Sequence, residues 1–172
     1  MKSRPDAALD IRSVHEAGHA IAAIRMRVPF SYVSIESDIL PGSGGHIMMT
    51  LPMYGGTVKS IQRVLVVLFA GASAADYILK LDGAFYDAQI AGDMDQIKST
   101  VTASKKLISA KHQKDFVEEC RVRAEKLLRM PFAENAIKDV AKKLMVGQKL
   151  SADRVKKVYA MHRAKKRLAK SP

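Results

Sequence analysis

The string His15-Glu16-Ala17-Gly18-His19 sets two imidazoles on one side of a predicted helix. Residues four apart in a helix point the same way, so the two ring nitrogens can converge on one ion. Neutral histidine nitrogens suit Zn²⁺, and Glu16 can reach a water on the open side of that ion and take its proton. This pattern is typical of the catalytic helix of a zinc peptidase.

The residues around this motif favour a buried helix. Asp10 is a suitable N-cap. Apolar residues follow it at helical spacing, namely Ile11, Val14, Ala17, Ile21, Ala22 and Ile24. Gly18 costs a helix about 1 kcal/mol relative to alanine, but its bare backbone lets another helix or the metal site approach closely. We therefore favour a metal site over an accidental pair of histidines.

Length and composition fit one soluble domain. The chain has 172 residues, 48% hydrophobic and 27% charged, which is enough for a single core. Its most apolar stretch, residues 64–75, is short for a bilayer span and is predicted to be a buried helix. The first ten residues lack an apolar run of the signal-peptide type, and the single cysteine, Cys120, cannot form an internal disulfide. We expect a cytoplasmic protein.

The net charge of +12 is concentrated near the C-terminus. From Lys138 onward, twelve Lys/Arg against two acids give +10, whereas the preceding 137 residues carry seventeen Lys/Arg against fifteen acids, or +2. Such a segment attracts nucleic acid, anionic lipid or an acidic partner, or is simply a solvated helix. Tyr159 is its only aromatic residue, which disfavours base stacking on single strands. We divide the chain into a domain at residues 1–160 and a basic tail at 161–172.

The remaining pattern predicts a mainly α protein with a small β-sheet. Short strands are expected near residues 32–35 and 46–51, on either side of a Pro- and Gly-rich loop at 41–45. Residues 81–90 are expected to be a connector, and Pro131 a break. Helices are expected over 57–79, 92–110, 114–130, 135–145 and 151–168, with Thr57 and Ser151 as N-caps.

A catalytic zinc site needs three protein ligands, so the third must come from elsewhere in the chain. His112 and His162 lie in basic surroundings and His46 on a predicted strand; for all three we favour an ordinary surface or core role. Asp93 and Asp95 are more promising, because both are expected at the start of a helix, where the helix dipole favours negative charge. From the residues alone, ligand and helix-cap roles are equally supported for these two acids.

Several segments resemble, in the same order, the peptidase domain of the FtsH family of ATP-dependent zinc metalloproteases. The motif continues through residues 20–23 (AIAA), and residues 45–47 (GHI) follow a strand and a Gly-rich loop. Residues 69–76 (FAGASAAD) are similar to the family's Ala-Gly-x-x-Ala-Glu-Glu helix. Residues 95–100 (DQIKST) resemble the segment that supplies the third zinc ligand, and 150–155 (LSADRV) the start of the last helix. The resemblance covers about residues 11–160.

The resemblance implies an FtsH-type metallopeptidase fold whose edge strand holds an extended substrate. It implies Zn²⁺ bound by His15, His19 and Asp95, with Asp93 as the fallback ligand, and Glu16 as the general base. It further implies a zinc metalloendopeptidase that hydrolyses unfolded or flexible polypeptide segments, with the zinc-bound water activated by Glu16.

The chain also departs from the family pattern. It has no phosphate-binding loop and no transmembrane segment of the family's kind, so we expect a stand-alone peptidase, with a homo-oligomer or a separate unfoldase partner left open. Ala75 stands where the family has the first of two glutamates, leaving only Asp76 as an acid. The alternative function is a non-catalytic, zinc-containing binding module whose basic C-terminal helix docks an acidic partner or nucleic acid.

Overall fold

The computed structural model describes residues 9–36, 45–50, 56–81 and 83–168, with the side chains of 83–90 and 167–168 excepted. The described chain is mainly helical with a small antiparallel sheet, as the sequence predicts. The helices are α1 (Ile11–Met26), α2 (Val58–Leu79), α3 (Gly83–Ala103), α4 (Ala110–Leu128), α5 (Pro131–Gly147) and α6 (Ala152–Leu168). The strands are β1 (Phe30–Ser34), β2 (His46–Met49) and β3 (Lys149–Ser151).

Helices α1 and α2 begin at the predicted caps. The Asp10 carboxylate accepts a hydrogen bond from the Ser13 amide at 3.1 Å, which satisfies one of the free N–H groups of the first turn of α1. At the start of α2, the Thr57 hydroxyl oxygen accepts a hydrogen bond from the Ser60 amide, and the Ser60 side chain accepts one from the Thr57 amide, which together form a capping box. Both N-cap predictions are confirmed.

Small residues let α1 and α2 pack closely. A Cβ atom at Gly18 would lie 2.5 Å from Ala74 Cβ and 2.6 Å from the Ala70 carbonyl oxygen. These distances are well inside van der Waals contact, so only glycine allows this helix spacing. The prediction that Gly18 admits a neighbouring helix is confirmed, and the neighbour is α2.

Helix α2 lies at the centre of the core. Its side chains from Val64 to Ala75 are buried, in agreement with the prediction of a buried helix there. By length and composition alone α2 could cross a membrane, but 72% of its most apolar window is buried inside the protein. The central helix of a water-soluble domain can be as long, as apolar and as buried as α2, so its length and composition are weak evidence for a membrane span.

The sheet has the order β2-β1-β3, with both pairs antiparallel. Val33 of β1 pairs with Ile47 of β2 and with Leu150 of β3, and Val33 and Leu150 are buried. The third strand was not predicted, because three residues between two helices are too few to show the alternation of apolar and polar residues that indicates a strand. Strand β2 lies at one edge of this sheet. The predicted loop at 41–44 lies outside the described residues.

Three helix boundaries differ from the prediction. The connector expected over residues 81–90 is mostly helix, because α3 already begins at Gly83 and ends at Ala103. A short 3₁₀ turn, Ser104–Lys106, then leads to α4, which begins at Ala110. Pro131 does not separate two elements by a linker; it is the first residue of α5, where its missing N–H costs nothing.

The boundary predicted between the domain and a basic tail falls inside α6. This helix continues without a break from Ala152 to Leu168. His162 lies 2.7 Å from an Asp139 oxygen on α5, and the Lys166 ammonium lies 5.1 Å from the centre of the Phe132 ring. Residues 161–166 are therefore part of the packed helix that ends the described chain.

Candidate metal centre

Three side chains from two helices converge at one point beside α2. His15 and His19 project from α1, and their Nε2 atoms lie 2.9 Å apart. Asp93 projects from α3, and its Oδ2 atom lies 3.2 Å from His15 Nε2 and 3.3 Å from His19 Nε2. Both histidines are buried, and the Asp93 side chain is 13% exposed. Among the described residues, these three form a group that could hold a metal ion.

The acid that meets the histidines is Asp93, the fallback of the prediction, and not Asp95, which was expected there. Two residues along a helix correspond to a rotation of about 200°, so the two carboxylates cannot share a face. Asp93 lies on the same face as buried Ile97 and Thr100, whereas Asp95 is exposed. The dipole argument also fails, because α3 begins at Gly83 and both acids lie in its middle.

Helix α2 sets the orientation of His19. The carbonyl oxygen of Val67 lies 2.7 Å from His19 Nδ1 and accepts a hydrogen bond from it. Nε2 therefore faces Asp93, to which it donates when the ring is protonated, and in the neutral ring with its proton on Nδ1 it would offer a lone pair to a cation at the same point. A backbone carbonyl that fixes the tautomer in this way is a usual partner of a metal-binding histidine.

A glycine of α2 leaves room for the two rings. A Cβ atom at Gly71 would lie 2.4 Å from His19 Nε2 and 2.6 Å from His15 Nε2. Any larger residue at this position would therefore occupy the space toward which the two nitrogens point. Neither Gly71 nor Val67 was predicted from the sequence as a site residue, although Gly71 is the glycine of the segment at 69–76.

The charges in this cluster are strongly coupled. Burial lowers the pKa of His15. Burial also opposes the charged form of His19, but the Asp93 carboxylate outweighs it and raises the pKa of His19 to about 9. The pKa of Asp93 would be raised by burial alone, yet the charge of His19 and the contacts with both rings hold it well below its usual range. Without a metal ion, one positive charge on His19 is thus balanced by Asp93.

Glu16 lies beside the cluster with a buried carboxyl group. It is 5% exposed, and its Oε2 atom makes no hydrogen bond to a described residue. Burial raises the pKa of Glu16 to about 7, against the opposing effect of the His19 charge. Gly45, just before β2, packs so closely that a Cβ there would lie 2.8 Å from Glu16 Oε1. The Arg12 guanidinium, one helical turn earlier, favours the ionised form of Glu16 and lowers that pKa.

The donor set and its spacing fit zinc. Ligand atoms about 2.0–2.1 Å from a tetrahedral ion lie about 3.3–3.4 Å apart. The distance between the two Nε2 atoms is 2.9 Å, and the distances from Asp93 Oδ2 to them are 3.2 and 3.3 Å. These three distances come close to those of one face of such a tetrahedron. Asp93 Oδ2 is buried and, apart from its ion-pair contacts with the two rings, has no hydrogen-bond partner among the described residues, so a cation bound here would take the place of the positive charge on His19. Two imidazoles and one carboxylate are also the ligand types of catalytic zinc.

The remaining histidines lie away from the cluster. His46 contacts the Tyr32 hydroxyl at 3.1 Å on the sheet, His112 contacts the Ser109 hydroxyl at 2.9 Å, and His162 pairs with Asp139. The ordinary roles favoured for these three histidines agree with these contacts.

The acid Asp76, which follows Ala75 on α2, faces away from the histidines. It lines a small pocket together with Ser73 and Tyr77 of α2 and with Glu125 and Arg129 of α4. The structure therefore gives Asp76 no part in orienting the histidines.

Neither the protein-family models nor the curated proteins match this sequence. The function of this chain is therefore inferred from its own residues and their geometry.

Proposed function

We propose that this protein is a zinc metalloendopeptidase with an FtsH-type catalytic arrangement, acting on unfolded or flexible polypeptide segments. The observation that carries the proposal is the convergence of His15, His19 and Asp93 next to a buried glutamate, Glu16, that immediately follows the first histidine. A purely structural cluster needs the three ion-paired groups, but it has no use for a fourth ionisable group left without a hydrogen bond in the interior.

In this proposal His15, His19 and Asp93 hold the ion. When bound, Zn²⁺ supplies Lewis acidity that polarises the peptide carbonyl and lowers the pKa of a water molecule. Val67 keeps the His19 ring in the orientation required for binding. Gly71 keeps the space between the rings free.

Glu16 is the proposed general base. Glu16 would take a proton from water and later give it to the departing amine. A carboxylate whose pKa lies near the working pH can both accept and release a proton readily, which both steps require. In the metal-free protein burial raises the pKa of Glu16 to about 7, and a bound Zn²⁺ would lower it and favour the ionised form that accepts a proton. The Gly45 backbone packs against the same side chain and restricts where the carboxyl group can lie.

The edge of the sheet offers a surface for an extended substrate. Within the described chain, β2 pairs with β1 on one side only, so its other side can accept a further strand. Gly45 precedes β2 directly and contacts Glu16. A peptide added along β2 would therefore pass next to the proposed base, and only a segment without folded structure can be added in this way.

The test compares the zinc-loaded protein with a Glu16→Gln variant on an unfolded, casein-like substrate. We expect cleavage by the wild type, and loss of at least about 100-fold in the variant at an unchanged content of one zinc per chain. Glu119→Gln, which neutralises an exposed glutamate of α4, is the matched control and should cleave at the wild-type rate. If neither the wild type nor the control cleaves while zinc is bound, the non-catalytic alternative is favoured and the proposal fails.

A further inference from the structure

Three basic side chains lie along one face of α6. Arg154, Lys157 and Lys165 are exposed, and at 100° per residue they fall within about 80° of arc around the helix axis. The distance from Arg154 to Lys165 along the axis is about 16 Å at 1.5 Å per residue. We call these three residues the basic stripe.

The basic stripe is not neutralised within the described part of the chain. The described acid on α6, Asp153, pairs instead with Lys156 at 3.1 Å, and Asp139 of α5 pairs with His162. No ion pair joins a stripe residue to a described carboxylate. The stripe also belongs to the segment from Lys138 onward that carries +10 of the net +12.

The structure indicates which polyanion the stripe suits. Helix α6 buries Val155, Val158 and Tyr159. Met161 is exposed at 42% beside the stripe, but one methionine is not the apolar face that a membrane-surface helix needs. The one aromatic residue of α6 is among its buried groups, which excludes base stacking of the kind used on single strands. What the stripe presents is a straight row of flexible cations. A duplex offers roughly ten phosphate charges over the same 16 Å.

We propose that the basic stripe binds the phosphate backbone of a double-stranded nucleic acid without reading its sequence. This interaction does not depend on the proposed peptidase activity, because the stripe and the metal cluster use different residues. Contacts to phosphates alone predict affinity that falls steeply with salt and is insensitive to base sequence.

The test measures binding of the full chain to fluorescent 20-base-pair DNA and RNA duplexes by anisotropy between 50 and 200 mM salt. The triple variant Arg154→Gln, Lys157→Gln, Lys165→Gln should lose at least about 30-fold in affinity at low salt, with a log–log salt slope less steep by about 2.7 for three lost contacts. The control Lys106→Gln, Lys111→Gln, Lys114→Gln removes the same charge from exposed positions elsewhere and should bind within threefold of wild type. The two duplexes distinguish DNA from RNA.

Three results would overturn the proposal. Equal losses in the two triple variants would show that only net charge matters. Binding to phosphatidylserine vesicles or to polyglutamate, with no binding to either duplex, would assign the stripe to a membrane or an acidic protein. Tighter binding to a 20-nucleotide single strand than to the duplexes would also contradict it. Thermal unfolding of both variants checks that each remains folded, and glutamine at exposed helix positions should preserve the fold.

Discussion

Replacing Gly71 by alanine tests the geometry of the metal centre directly. The substitution adds one methyl group, whose carbon would lie 2.4 Å from His19 Nε2 and 2.6 Å from His15 Nε2. An ordinary contact needs about 3.4 Å or more, so either ring or the α1–α2 spacing has to move by about 1 Å. His19 cannot move freely, because its other nitrogen is held by the Val67 carbonyl at 2.7 Å.

Two effects of opposite sign act on stability. Overpacking a core by one methyl group costs about 1–3 kcal/mol, whereas alanine in place of glycine within a helix stabilises it by about 1 kcal/mol. The net change in the free energy of unfolding is therefore a loss of about 0–2 kcal/mol. Zinc affinity should fall much further. Losing even an outer hydrogen-bond partner of a metal ligand costs about 10–100-fold, and a shift of about 1 Å in two ligand atoms should cost at least about 100-fold.

The assay is calorimetric titration of the metal-free protein with Zn²⁺, together with chemical denaturation of the same samples. Gly92→Ala is the matched control, because a Cβ at Gly92 in the middle of α3 meets no atom within 4 Å. This control should bind zinc as the wild type does and gain up to about 1 kcal/mol of stability. If Gly71→Ala binds zinc with wild-type affinity, the inference that Gly71 keeps the metal position open is wrong.

Three further predictions have defined outcomes. Asp93→Asn should lower zinc affinity by at least about 100-fold, whereas Asp95→Asn should stay within about twofold in the same titration; the reverse order would restore Asp95 as the ligand. In the metal-free protein, the pKa of Glu16 rises from 4.5 to about 7 on folding. The folded state therefore keeps this proton up to a higher pH than the unfolded state does, and the free energy of unfolding falls as pH rises from about 4.5 to about 7. Glu16→Gln should therefore match the wild type near pH 4 and exceed its unfolding free energy by up to about 3 kcal/mol at pH 8, and equal denaturation midpoints at pH 8 would contradict this. Gly18→Ala should lower the free energy of unfolding by up to about 2 kcal/mol in chemical denaturation, because overpacking against Ala74 and the Ala70 carbonyl outweighs the gain of about 1 kcal/mol in helix propensity; a stabilised variant would show that the helices separate easily.

Sequence reasoning succeeded where the decisive interaction is local. The caps at Asp10 and Thr57 and the shared face of His15 and His19 each depend on residues within about one helical turn. The class of fold was also predictable, since it depends on the density of helical and strand patterns along the chain. Short β3 was missed because its pairing partner, β1, is more than a hundred residues away.

The preference for Asp95 over Asp93 came from the family resemblance, whereas the residues alone left the two acids equally supported. Choosing between them requires knowing which face of α3 is buried, and that face was not worked out from the residue pattern. A usable signal was present: Asp93, Ile97 and Thr100 recur at helical spacing, and both Ile97 and Thr100 are buried. An apolar residue four positions after an acid indicates that the acid faces the core, whereas Asp95 is followed at that spacing by Ser99.

The small residues of α2 connect the packing of the core to the chemistry of the centre. Gly18 of α1 packs against Ala70 and Ala74 of α2. Gly71, also on α2, faces His15 and His19 of α1. One close approach of α1 to α2 therefore both fills the core and carries the His15 and His19 rings to the point where Asp93 meets them. A larger residue at any of these positions would force the helices apart, so we expect core stability and metal affinity to change together along this contact. On this reasoning, substitutions of equal size in α2 that face away from α1 should change stability alone.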